Sequence, residues 1–250
     1  MSAPIIQGCE PLSAEGSSTG VLVLHGFTGS PFSMRGIAER MANAGFSVEM
    51  PLLPGHGTAV EDMLGTRFAD WSAGAEAAYV GLAARTERVV VVGLSMGGTL
   101  TCWLAERHPE IAGIVLVNPL VEPAGDELLT GLQALVDAGT ETLEGIGSDI
   151  AKEGVEERSY PATPLAPLVS LFEALDEISA ALPAIICPVL LFSSMEDHVV
   201  APSNGPHLMA RVTSPLEQVV LERSYHVATL DHDAPLIEAE AVAFVERLAS

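Results

Sequence analysis

The chain has 250 residues, 48% of them apolar and 18% charged, which is a globular composition with the length for one large α/β domain or two small ones. Its formal net charge is −22. A surface that acidic repels phosphate backbones and anionic headgroups, which excludes nucleic acid as a partner and allows at most transient contact with a lipid interface.

The first residues, MSAPIIQGCEPLSAEGSS, lack the basic segment and continuous apolar run of a secretory signal. No apolar run approaches the roughly 18 residues that a membrane span requires. Cys9, Cys102 and Cys187 are odd in number, widely spaced and without a metal-ligand pattern, so a cytoplasmic protein with reduced thiols is expected.

Val21 to Leu24 is a wholly apolar run, as in a parallel strand buried on both faces. Ser30-Pro31 starts a helix, with Met34, Ile37, Ala38 and Met41 at helical spacing and Gly45 just past its end. Phe46 to Met50 reads as the next strand, and Trp71 to Arg85 as the next helix. A strand at Val89 to Val92 then leads through GLSMGG into a helix from Met96 to His108. Further strands are expected at Ile114 to Val117, Val189 to Phe192 and Gln218 to Leu221, with a closing helix from Ala234 to Leu248. Strands alternating with helices in this way imply a mostly parallel sheet flanked by helices. Between roughly Leu120 and Leu182 the pattern is helical only, with one apolar stripe at Leu128, Leu132, Leu135 and Val136 and another at Leu165, Leu168, Phe172 and Leu175. That stretch is expected to be a helical cap, residues 120–182, inserted into a core made of residues 1–119 and 183–250.

Gly93-Leu94-Ser95-Met96-Gly97 has the G-x-S-x-G spacing of a sharp strand-to-helix turn that presents a serine nucleophile. The turn aims the N–H of Met96 at a developing oxyanion. A P-loop would need a lysine here, and a dinucleotide fingerprint would need a different glycine spacing. The serine needs a base, and the order Ser, acid, His leads to His226, which follows the last strand in SYHVATLD. Asp197 follows the preceding strand in MEDHVV and would orient the imidazole. Glu196 and His198 are the neighbouring alternatives, although adjacent residues of an extended loop diverge. His108 lies at the far end of the nucleophile's helix, His56 reads as a turn residue, and His232 between Asp231 and Asp233 reads as part of a solvated cap. His25-Gly26-Phe27-Thr28-Gly29 follows the first strand, and the Phe27 N–H is the natural second oxyanion donor.

HGFTGSPFSMR, PGHGT followed by EDM, FADW, GLSMGGTLT, IGSDI, MEDHVV and SYHVATLD together resemble the α/β-hydrolase superfamily, most closely its bacterial monoacylglycerol lipases and small carboxylesterases. The resemblance spans most of the chain and implies an α/β-hydrolase fold with a mobile helical cap over an apolar acyl tunnel. It implies the same triad, Ser95, Asp197 and His226, and the same oxyanion donors, Phe27 and Met96. It also implies Glu157 as a carboxylate toward glycerol, with Glu156 adjacent, and Ile146 as a wall residue. The expected activity is hydrolysis of monoacylglycerols through an acyl-enzyme, with no cofactor and no metal, by a monomer or homodimer. A general carboxylesterase and a non-catalytic binding protein of the same fold are the alternatives.

Overall fold

The computed structural model describes residues 3–145 and 147–249. In chain order the elements begin β1 (Leu12–Ala14), β2 (Thr19–Leu24), α1 (Pro31–Asn43), β3 (Ser47–Met50), α2 (Val60–Leu64), α3 (Phe68–Ala83), β4 (Arg88–Leu94), α4 (Met96–Arg107) and β5 (Gly113–Val117). There follow α5 (Asp126–Asp137), β6 (Thr142–Glu144), β7 (Ala162–Pro164), α6 (Leu165–Ala181), β8 (Val189–Ser194), α7 (Asn204–Met209), β9 (Leu216–Leu221) and α8 (Ala234–Ala249).

Seven strands form one sheet in the order β1-β3-β2-β4-β5-β8-β9. Every pairing is parallel except that of β1 with β3. The apolar runs are continuous because both faces of the sheet are covered, and the side chains alternate between two cores. Leu22, Leu24, Val91, Leu116 and Leu191 point to the face packed by α3, α4 and α6. Val21, Val23, Val90, Val92, Val115 and Phe192 point to the face packed by α1 and α8. Each such side chain, fully buried, contributes about 1.5–3 kcal/mol to stability.

Helix α1 forms as its sequence dictates. Ser30 accepts the Phe32 N–H at 3.3 Å, Pro31 occupies the first turn, and Gly45 beyond the last turn has φ +90°. The one-sided burial of Met34, Ile37, Ala38 and Met41 follows the helical spacing of these residues.

The stretch between β5 and β8 differs from the all-helical reading. It contains a two-stranded antiparallel ribbon, β6 with β7, joined through Leu143↔Thr163. Three-residue strands carry too little periodicity to be read from sequence. The C-terminal part of α6 joins the main core through Leu171 and Ile178, whereas Leu132, Leu165 and Val169 form a small separate cluster between α5 and α6. The apolar stripe of α5 is only partly covered, since Leu128 and Leu135 are exposed.

Parallel pairing sets where the site lies. Leu24 pairs with Gly93, Leu94 with Val117, Val117 with Phe192, and Ser194 with Leu221. The loops after β2, β4, β5, β8 and β9 therefore emerge at one edge of the sheet. Chain direction across the sheet reverses between β2 and β4, which is where this class of sheet opens a crevice at its carboxyl end.

Candidate active site

Ser95 has φ +56° and ψ −120°, a backbone conformation that L residues avoid. It stands between Leu94, the end of β4, and Met96, the start of α4. The flanking glycines exist because the turn brings backbone against backbone. A Cβ on Gly93 would lie 2.1 Å from the carbonyl oxygen of Gly97, and one on Gly97 would lie 2.1 Å from that of Leu24. The third glycine, Gly98, lets α4 approach Pro119, whose Cβ would sit 2.7 Å from an added methyl. The Ser95 N–H is held by the carbonyl of Val117 at 3.1 Å.

The loop after β2 crosses directly beside Ser95: a Cβ on Gly26 would be 3.4 Å from that of Ser95. Phe27 is fixed by an edge contact with Trp71, whose indole N–H donates to the Pro54 carbonyl at 3.1 Å. Beneath this loop His25 is fully buried. Its Nε2 accepts the Leu53 N–H at 3.2 Å and its Nδ1 lies 3.0 Å from the Gly26 carbonyl, so Nδ1 carries the proton. Burial pushes its pKa down to about 4, which keeps the ring neutral. Met96 is the first residue of α4, so its N–H has no acceptor inside the helix.

His226 and Asp197 meet from the loops after β9 and β8. His226 Nδ1 lies 2.8 Å from Asp197 Oδ2, and both side chains are buried. A carboxylate only accepts, so Nδ1 carries the proton and Nε2 is the basic nitrogen. The other oxygen of Asp197 receives the N–H groups of Val199 and Val200 at 2.9 and 2.7 Å, which locks the carboxylate. Ser95, His226, Phe27 and Glu157 line one cavity together with Gly26 and Gly147.

Of the two adjacent glutamates, Glu157 reaches that cavity while Glu156 is exposed. The Glu157 carboxyl lies over Gly29, where an added Cβ would fall 2.8 Å from Oε1. Burial raises its pKa, and the proximity of His226 and the Ser33 hydroxyl offsets part of that rise. Ile146 lies outside the described residues.

The remaining histidines are placed elsewhere. His108 is held between Glu76 and Glu110. His56 is buried against His25 and Trp71. His198 is exposed and bonded to Asp149, not directed at Ser95. The reading of Asp231 and Asp233 as solvated is corrected, because both are buried. Asp231 accepts the N–H groups of Ala151, Lys152, Tyr225 and His232. Asp233 binds Arg223 and Ser224. Only the folded chain brings these donors to the two carboxylates.

Two contributors escaped the sequence reading. Asn118, with φ +43°, follows β5; its amide donates to the His226 carbonyl at 2.8 Å and to Ser194 Oγ at 2.9 Å. Asp149, from the segment between β6 and β7, accepts the His226 N–H at 3.0 Å. Burial opposes ionisation of Asp149, but the donors from His226 and His198 outweigh it and leave the pKa lowered. An asparagine after a sheet strand is a weak signal by itself, and the motif IGSDI was the one trace of the second.

Residues 21–239 match the alpha/beta hydrolase family. The chain is 46% identical over 243 residues to a thermostable monoacylglycerol lipase of Bacillus sp. (strain H-257), covering 96% of each chain. Among solved structures it is similar to a chain from work on LipS and LipT, two metagenome-derived lipolytic enzymes. That likeness has a TM-score of 0.93 and 43% identity, over 98% of this chain and 100% of the other. A monoacylglycerol lipase of Paleococcus ferrophilus shares the fold, with a TM-score of 0.77 at 17% identity, over 95% of this chain and 98% of the other.

Proposed function

This chain belongs to the alpha/beta hydrolase family, and from that premise we propose that it hydrolyses monoacylglycerols to glycerol and a fatty acid through an acyl-enzyme on Ser95. It is a carboxylic ester hydrolase, in keeping with its lipase relative and lipolytic structural neighbour. The observation that carries the finer reading is the cavity in which Ser95, on its strained turn, shares walls with His226, itself bonded to Asp197, and with the Glu157 carboxyl.

In this reading His226 Nε2 removes the Ser95 proton as Oγ attacks the ester carbonyl. The N–H groups of Phe27 and Met96 receive the oxyanion, each worth about 2.7–4 kcal/mol in the transition state. Collapse of the intermediate breaks the ester bond, and the proton on Nε2 passes to the leaving glycerol oxygen. Water, deprotonated by the same nitrogen, then attacks the acyl-enzyme and releases the acid. Asp197 holds the tautomer and stabilises the imidazolium. Glu157 accepts hydrogen bonds from the glycerol hydroxyls, a role that a simple alkyl ester would not use.

Residues 120–182 act as the cap in this scheme and contribute Gly147 and Glu157 to the cavity wall, leaving residues 1–119 and 183–250 as the core. The ligand is a small lipid ester. No helix among the described residues is long and apolar enough to cross a membrane. The three cysteines are free and buried, which suits the cytoplasmic location we assign.

The test is fatty-acid release from a monoacylglycerol, its triacylglycerol and its methyl ester, with Ser95→Ala as the blank. Preference for the monoacylglycerol is expected. Equal rates on monoacylglycerol and methyl ester would replace this reading with a general carboxylesterase.

A further inference from the structure

Asp149 touches neither the cavity nor Ser95, yet it binds both loops that bring the base and its acid together. Its Oδ2 accepts the backbone N–H of His226 at 3.0 Å and the backbone N–H of His198, the residue after Asp197, at 3.1 Å. Its Oδ1 lies 2.8 Å from Nδ1 of His198, whose ring packs edge-on against Tyr225 at 4.7 Å. Its own carbonyl accepts the Val227 N–H at 3.0 Å. The side chain is only 12% exposed. One residue of the insertion therefore spans the two catalytic loops at the backbone, on either side of the His226–Asp197 hydrogen bond.

The insertion is pinned again a few residues later, where Asp231 accepts the N–H groups of Ala151 and Lys152 at 2.7 and 2.9 Å. Segment 149–152 is thus tied to the loop after β9 at two carboxylates. Neither loop has regular structure of its own at these residues, so cross-bonds of this kind set their separation. Reacting groups displaced by about 1 Å lose roughly a hundredfold in rate, and a site depends on the residues that lock its own side chains.

We infer that Asp149 is a positioning residue that holds the His226 and Asp197 loops at catalytic separation, so that the insertion governs turnover as well as substrate access. The inference rests on the Ser95 reading above. Two variants displace the clasp: Asp149→Ala removes it, and Asp149→Glu keeps the charge but moves the acceptor by one methylene. Asp149→Asn keeps an acceptor oxygen in place.

The experiment measures kcat and KM on a monoacylglycerol with the full chain, together with the melting temperature and the low-field proton resonance of His226 Nδ1. Each displacing variant is expected to lose roughly 10- to 100-fold in kcat, with KM within about threefold and a weakened or shifted low-field resonance. Asp149→Asn is expected to recover most of kcat and the resonance. Where the alanine variant does not fold, the glutamate variant decides. A folded displacing variant with kcat within threefold of the parent, an unchanged resonance, or an asparagine variant as slow as the displaced ones each overturns the inference. An active Ser95→Ala would instead overturn the reading on which it rests, and an inactive Ser95→Ala beside a fast Asp149 variant would remove the inference alone.

Discussion

A serine hydroxyl at neutral pH is a poor nucleophile until a base takes its proton, so Ser95 and His226 are expected to act as one unit. Ser95→Ala and His226→Ala should each lower kcat by more than about 10⁴-fold, and the double variant should lose little more; additive losses in steady-state assays would contradict this. Glu157 offers a different test. Its carboxyl faces the cavity over Gly29, and a hydrogen bond to a charged group is worth about 1.5–3 kcal/mol. Glu157→Ala should therefore reduce kcat/KM on a monoacylglycerol about tenfold more than on the methyl ester of the same acid, and equal losses would remove its role toward glycerol. Ser95 was legible because its glycines announce a steric problem that recurs wherever a strand turns sharply into a helix. His226 and Asp197 were legible from the order of residues along the chain and their places just after strands. Asp149 was not, because its significance lies in three hydrogen bonds to residues 49 and 77 positions away.

The strand-turn-helix from Arg88 to Arg107 is the element on which the site depends. Gly97→Ala would drive a methyl into the Leu24 carbonyl at 2.1 Å, and neither β2 nor β4 has room to retreat at the centre of the sheet. It should destabilise the fold by about 3 kcal/mol or more, readable as a lowered urea midpoint. By contrast a methyl on Gly131, on the surface of α5, meets nothing within 4 Å. Gly131→Ala should leave the midpoint unchanged or raise it by up to about 1 kcal/mol of stability. The elements with strong periodicity were expected close to where they stand, α4 at Met96–Arg107 and β4 at Arg88–Leu94. The short ones, β1, β6, β7 and the five-residue α2, were not expected. Three residues give one alternation of side chains at most, and their pairing energy comes from partners remote in sequence.

For the molecule as a whole, charge gives the clearest expectations. A net charge of −22 opposes compaction, and salt screens it, so the melting temperature should rise between about 10 mM and 150 mM sodium chloride. One buried acid adds a pH dependence. Burial pushes the pKa of Glu106 up from 4.5 to about 8 in the folded chain, so the unfolded chain ionises first as pH rises. The stability lost through this group grows from about pH 4.5 to about 8 and is constant above that. Each tenfold change in proton affinity is worth ~1.4 kcal/mol, and solvent around the partly accessible carboxyl screens part of it. Glu106→Gln should therefore be more stable than the parent by about 1–3 kcal/mol at pH 8. At pH 4 the two should match, and thermal melts at both values would check it. The sequence alone determined the alternation of strands and helices, the parallel sheet and the sharp turn at Ser95, since these follow from side-chain spacing and backbone sterics within a few residues. Only the tertiary structure decided that β1 runs antiparallel, that a ribbon interrupts the insertion, that Glu157 and not Glu156 faces the cavity, and that Asp149 binds the N–H groups of both His198 and His226. Those outcomes depend on which distant backbone donors and carboxylates come within hydrogen-bonding distance, and that is settled by packing across the whole chain.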